Sequence, residues 1–221
     1  MPHVIGFCGG ISAGKSTLAK SIIEYINTKD LIPFVIDTTK SIKKTLAEKA
    51  PYTDPDFNIA SQYLLYSTFI NTLIDLPSSL YLSEALSPKQ NKFVIITTRT
   101  PLDHVFYLSE LNKKQNTGLD INLMYDRAIN FCSKYYDKII FFGKSYEPVI
   151  DKWKFLINSG GKIHDIIEKN GYKNSFSIED FTDDSDEKSK LKKLCGIIDS
   201  LEPSKAKTGI DLAEICVNSP T

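Results

Sequence analysis

The chain has 221 residues, enough for one α/β domain with a sizeable core, and an ordinary make-up of 42% hydrophobic and 24% charged residues. Its 27 basic side chains equal its 27 acidic ones, so no overall field exists to hold a polyanion, which argues against a dedicated nucleic-acid binder. The apolar run from His3 to Cys8 is too short for a signal peptide or a membrane span, and Cys8, Cys132, Cys195 and Cys216 form no CxxC or Cys/His set; both point to a cytoplasmic protein with reduced thiols and no membrane partner.

In chain order, Val4 to Cys8 reads as a first strand ending in glycines, and a helix with Leu18, Ile22, Ile23 and Ile26 on one face follows. Pro33 to Asp37 reads as a second strand, trailed by a Lys-rich helix over about Thr39 to Lys49 and a turn at Pro51 to Asp56. Ile59, Tyr63, Tyr66, Ile70 and Leu73 recur at helical spacing and mark the buried stripe of a long amphipathic helix. Phe93 to Thr97 is the third strand, Leu102 to Leu111 a helix and Asn112 to Gly118 a polar loop. Ile121, Met124, Ala128, Phe131 and Cys132 stripe the next helix, which leads to a fourth strand, Lys138 to Phe142. A helix over about Gly161 to Lys169, a weak fifth strand at Ser175 to Ile178, a solvated acidic stretch from Glu179 to Glu187 and a last long helix complete the body. The tail, 202–221, is rich in Pro, Ser and Lys, with a short helix expected at Ile210 to Ile215. Nothing divides the chain, so residues 1–221 are read as a single domain with a parallel sheet covered on both faces.

Gly9-Gly10-Ile11-Ser12-Ala13-Gly14-Lys15-Ser16 matches GxxxxGK[ST] in full and lies between a strand and a helix, where that motif works. Its glycines let consecutive backbone N–H groups curl around an anion, and the helix N-terminus adds partial positive charge. Lys15 is expected to bridge the β- and γ-phosphates of ATP, Ser16 to give its hydroxyl to Mg²⁺, and Thr17 to touch the α-phosphate. No NKxD motif follows to recognise a guanine base, and the third strand ends in Thr97-Thr98 without a carboxylate, which sets aside the GTPase and AAA-type ATPase classes.

Thr97-Thr98-Arg99-Thr100-Pro101-Leu102-Asp103-His104-Val105-Phe106-Tyr107 resembles the strand, DR, D and Y signature of P-loop nucleoside and nucleotide kinases, particularly the ribosylnicotinamide-kinase-like branch. The resemblance implies a three-layer P-loop NTPase fold with a five-stranded parallel sheet in order 2-3-1-4-5, and an ATP- and Mg²⁺-dependent kinase acting on a nucleoside or (deoxy)nucleotide. It implies that Arg99 reaches the phosphates and acceptor, that Asp103 is the carboxylate of the following helix, and that Tyr107 packs beside it. The family has Asp or Glu where this chain has Thr98. Asp37, at the end of the second strand, matches a carboxylate facing the acceptor, and Gln62 a glutamine near the acceptor base. A lid is implied near residues 144–160, with Lys152 and Lys154 in place of its basic residues.

Simpler roles stand beside these. Asp37 could cap the helix after it, Asp103 could serve the dipole of its own helix, and Lys152 and Lys154 could sit in a solvated loop. Arg127, the second of two arginines, could pair with Asp126 or line the site. Two other functions stay open: a polynucleotide or modified-base DNA kinase, with nucleic acid as the acceptor, and a non-catalytic nucleotide-binding regulatory protein. The oligomeric state, a homodimer included, is not readable.

Overall fold

The computed structural model describes residues 2–10, 13–29, 31–37, 59–86, 92–143, 159–170, 177–181 and 186–201. Five strands alternate with six helices among them: β1 (His3–Gly9), α1 (Lys15–Asn27), β2 (Leu31–Ile36), α2 (Ile59–Leu86), β3 (Lys92–Thr97), α3 (Pro101–Gln115), α4 (Ile121–Tyr135), β4 (Lys138–Phe142), α5 (Ser159–Lys169), β5 (Ile178–Asp180) and α6 (Glu187–Asp199). The strands form one sheet in the order β2-β3-β1-β4-β5, every pair parallel. This is the expected 2-3-1-4-5 arrangement, and it makes β1 the central strand.

Alternation along each strand divides the core into two layers. Val4, Cys8, Phe93, Ile95, Ile139 and Phe141 face one side, together with buried residues of α2 to α5. Ile5, Phe7, Val94, Ile96, Ile140 and Phe142 face the other, under α1 and α6. Near its C-terminus α1 is tied to α6, because the Tyr25 hydroxyl donates to both Asp199 carboxylate oxygens at 2.7 and 2.8 Å and Lys29 Nζ lies 2.9 Å from the same carboxylate. No helix among the described residues is long and apolar enough to cross a membrane.

Several boundaries differ from the expectation. The second strand runs over Leu31–Ile36 and keeps Pro33 inside it, which is tolerated because β2 lies at the edge of the sheet. In α2 the buried positions are Ser61, Gln62, Leu65, Phe69 and Leu73, while Tyr63 and Leu64 are exposed. Apolar residues lie on more than one face there and polar Ser61 and Gln62 are buried, so spacing alone selects no unique face. Helix α3 runs on through Gln115, where Asn116 (φ 47°) ends it in the left-handed region, so the expected polar loop is shorter. The fifth strand lies at Ile178–Asp180, three residues later than expected at its start. Its ladder is a backbone matter, with Ile139 N–H donating to the Ser177 carbonyl and Phe181 N–H to the Phe141 carbonyl, both at 2.9 Å. The acidic stretch therefore opens inside the sheet, and its end caps α6 through Asp186, which accepts from Ser189 N–H at 2.7 Å. The expected helix at 39–49, the turn at 51–56, most of the lid at 144–160 and the tail at 202–221 lie outside the described residues.

Gly6 shows how closely β1 is packed. A Cβ there would stand 2.5 Å from Tyr136 Cε1 and 2.8 Å from Thr100 Cγ2. The buried Tyr136 ring lies along the strand, and its hydroxyl is 3.1 Å from Thr97 Oγ1. Gly6→Ala should therefore cost about 1–3 kcal/mol through overpacking, read as a lower urea midpoint. An unchanged midpoint would mean that the ring moves aside freely.

Candidate active site

The strands β1, β2 and β3 end side by side, and the phosphate-loop motif begins at the last residue of β1. Gly9 has φ 145°, and a Cβ there would lie 2.3 Å from the Phe142 carbonyl oxygen, so only glycine can turn the chain at this point. At the far end of the loop Gly14, at φ 83°, is the N-cap of α1 without a side-chain capping bond, and the first turn holds no acidic residue. The leading N–H groups of α1 thus keep their positive end for an anion. Ser16 and Thr17 are exposed on that turn. Ile11 and Ser12 lie outside the described residues.

Two cations converge on one carbonyl. Lys15 Nζ donates to the Gly9 carbonyl at 2.7 Å and also to the Gly10 carbonyl. Arg99 Nη1, just past β3, donates to the same Gly9 oxygen at 3.0 Å. Lys15 is only 6% exposed. Burial, followed by the repulsion of Arg99, lowers its pKa to about 7, with Asp103, Cys8 and Asp37 opposing. For Arg99, burial works against the charge, but Tyr107, Asp103, Cys8 and Asp37 outweigh it and hold the pKa above the usual arginine value. The Arg99 guanidinium carbon lies 5.4 Å from the Tyr107 ring centroid.

Two carboxylates balance the pair. Asp103, 1% exposed, accepts from Gly9 N–H at 2.8 Å through Oδ1, and from Thr100 N–H and Thr100 Oγ1 at 2.8 and 2.9 Å through Oδ2. The Asp103 N–H donates in return to Thr100 Oγ1 at 3.4 Å, so the two residues form a capping box at the start of α3, behind Pro101. The pattern Thr100-Pro101-Leu102-Asp103 carries that box legibly, yet the role of Thr100 was not foreseen. Asp37 follows β2 directly, half-buried, and its charge acts on both Lys15 and Arg99. Beside it, directly after β3, Thr98 is buried and donates its N–H to the Ile36 carbonyl at 3.2 Å.

The structure therefore brings together Gly9, Gly10, Lys15, Asp37, Arg99 and Asp103. Gln62 is buried on α2. Arg127 is exposed on α4, where its charge acts on the Tyr66 phenol of α2. Lys152 and Lys154 lie outside the described residues. Among the described residues no cluster of three His, Cys, Asp or Glu side chains could hold a metal.

The sequence matches no protein-family model and no curated protein. Among solved structures, the chain is similar to thymidylate kinase from Ehrlichia chaffeensis, at 15% identity and a TM-score of 0.57, over 90% of this chain and 98% of that one. It is also similar to thymidylate kinase from Candida albicans, at 16% identity and a TM-score of 0.54, over 92% and 96% of the two chains. At such identity the likeness concerns the fold, and with the sheet order and the phosphate-loop motif it makes this a three-layer α/β P-loop fold of the kind that nucleotide kinases have.

Proposed function

We propose that the chain is a phosphotransferase that moves the γ-phosphoryl group of ATP to a nucleotide or nucleoside, with deoxynucleotides first among acceptors. The observation that carries this reading is the convergence of Lys15 and Arg99 on the Gly9 carbonyl, at the strand ends and beside an uncapped helix N-terminus. Phosphoryl transfer asks a protein mainly to position two substrates and to neutralise charge on the moving group. A buried lysine and a partly buried arginine meeting at one point suit that need, because charges act more strongly where they are shielded from bulk water. The thymidylate kinase likeness favours a nucleoside monophosphate as the acceptor. The ribosylnicotinamide-kinase-like branch finds no such support.

Lys15 and Arg99 leave the Gly9 carbonyl for the triphosphate, whose oxygens are better acceptors than a peptide carbonyl. The open turn at the start of α1 cradles the remaining phosphates. Asp37, across from Arg99, orients the acceptor group or takes its proton. The donor set suits a hard cation riding on phosphates: Ser16 would offer its hydroxyl to Mg²⁺, which when bound would supply positive charge to the phosphates. Lys152 and Lys154 belong in this reading to a lid, and Gln62 to the acceptor side.

The test is turnover of ATP with Mg²⁺ against a panel of nucleosides, nucleotides including thymidylate, and short oligonucleotides. Wild-type protein should phosphorylate a nucleotide, and Lys15→Met should not. Phosphorylation of oligonucleotides alone would move the acceptor class to nucleic acid, and no turnover on any acceptor would refute the reading. Arg99→Lys should lower the rate on the order of a hundredfold, since a point charge cannot replace a planar fork. Arg127→Lys should stay within a few-fold of wild type. Equal losses in both would place Arg127 in the site.

Burying Lys15 also has a cost that can be read without any substrate. Its pKa is about 7 in the fold, against 10.5 when the chain is unfolded. The unfolded chain therefore binds more protons above pH 7, and stability rises with pH there. The buried thiol of Cys8, pushed up by burial, acts in the opposite direction at alkaline pH but is common to wild type and Lys15→Met, so it cancels in their difference. Between pH 7 and 10.5 wild-type stability should climb by up to about 1.4 kcal/mol per pH unit relative to Lys15→Met, measured by urea unfolding at constant ionic strength. Parallel curves for the two proteins would mean that Lys15 is solvated.

A further inference from the structure

Asp103 is a buried carboxylate beside two cations, yet its shortest bonds go elsewhere. It stands 3.7 Å from Arg99 Nη1, but accepts at 2.8 and 2.9 Å from two peptide N–H groups and a hydroxyl. One of those peptides is Gly9, 94 positions earlier in the chain. A carboxylate paired tightly with Arg99 would hold the guanidinium away from an incoming phosphate. At 3.7 Å it neutralises that charge without seizing it.

We propose that Asp103 is the positioning residue of the phosphate loop: by holding the Gly9 N–H it fixes the Cys8–Gly9 peptide plane from which the chain turns into the loop, and so limits where the next peptide unit places the Gly9 carbonyl, on which Lys15 and Arg99 rest until phosphate takes them. This rests on the reading of Lys15 and Arg99 as phosphate ligands. Gly9 needs such a hold. With φ 145° it lies in a region that glycine samples freely but does not choose, and if the Cys8–Gly9 peptide could turn, the carbonyl in the following peptide unit would lose its direction. Since the same carboxylate belongs to the capping box of α3, the first turn of that helix and the start of the loop move as one piece. Asp103 touches neither substrate; it acts through Gly9.

The experiment compares Asp103→Ala, Asp103→Asn and Thr100→Val. Amide exchange at Gly9 is measured by NMR without nucleotide, and ATP affinity in the presence of Mg²⁺ by calorimetry. Asp103→Ala should speed Gly9 exchange at least about tenfold and weaken ATP binding on the order of tenfold, the usual worth of a hydrogen bond to a charged group. Asp103→Asn, which keeps a carbonyl acceptor and the size of the side chain, should recover part of both. Thr100→Val removes the hydroxyl from the same carboxylate and should lower stability, but leave Gly9 protection and ATP affinity near wild type. Unchanged Gly9 exchange in Asp103→Ala would overturn this inference alone. An ATP affinity that falls as far in Thr100→Val as in Asp103→Asn would reduce Asp103 to a helix cap. Wild-type protein that binds no ATP would overturn the functional reading and the positioning role with it, and it is distinguishable because Gly9 exchange is read without nucleotide.

Discussion

Gly9 is the residue on which the site depends. Its N–H is given to a buried carboxylate and its C=O, in the next peptide unit, receives the buried Lys15 and the partly buried Arg99, so three charges from α3, α1 and the turn after β3 meet at one residue. None of the three could be buried alone at tolerable cost, since an unpaired charge in a low-dielectric interior is heavily penalised. Glycine is required because both the backbone angle and the nearby Phe142 carbonyl exclude a side chain. The sheet order follows the same demand. With β1 in the centre, β3 on one side carries Arg99 to the loop and β4 on the other supplies Phe142 as its wall.

The charges nearly cancel but do not relax. Lys15 keeps a depressed pKa because the benefits of Asp103 and Asp37 do not offset burial and the neighbouring Arg99. A fold selected for stability alone would fill this place with an apolar side chain, which commonly does as well or better than buried ions. Keeping a buried lysine against a partly buried arginine is unfavourable in the empty site, and such perturbed groups belong to a site that gains on binding an anion. Tyr107 contributes from the side, offering its ring face to Arg99 beside the charges of Asp103 and Asp37.

Much of this was legible in the sequence. The phosphate loop, its flanking strand and helix, and the fourth strand could be read residue by residue, because glycine spacing and short apolar runs are local signals. The face of α2 could not, because Leu64, Leu65, Phe69 and Ile70 offer more than one apolar stripe and only packing against α3 chooses between them. The fifth strand was legible in existence but not in its bounds, since Glu179 and Asp180 are poor strand formers, held here by backbone pairing to β4 and by the ion pair between Lys138 and Glu179. In the site, Arg99 and Asp103 stood out by pattern. What Asp103 holds was hidden, because a bond to a backbone N–H 94 positions away leaves no trace in the residue type of its partner.

The tether between α1 and α6 has a consequence for how the loop can respond to a ligand. Lys15 begins α1, and Tyr25 lies in the last turn of that same helix, fastened to Asp199. A helix pinned at its trailing end and packed along one face cannot slide outward to meet an anion. The adjustment is confined to the torsions of the loop and of the Lys15 side chain. Few degrees of freedom are then frozen when a ligand arrives, so little reorganisation entropy is spent and more of the intrinsic interaction energy remains for holding the phosphates.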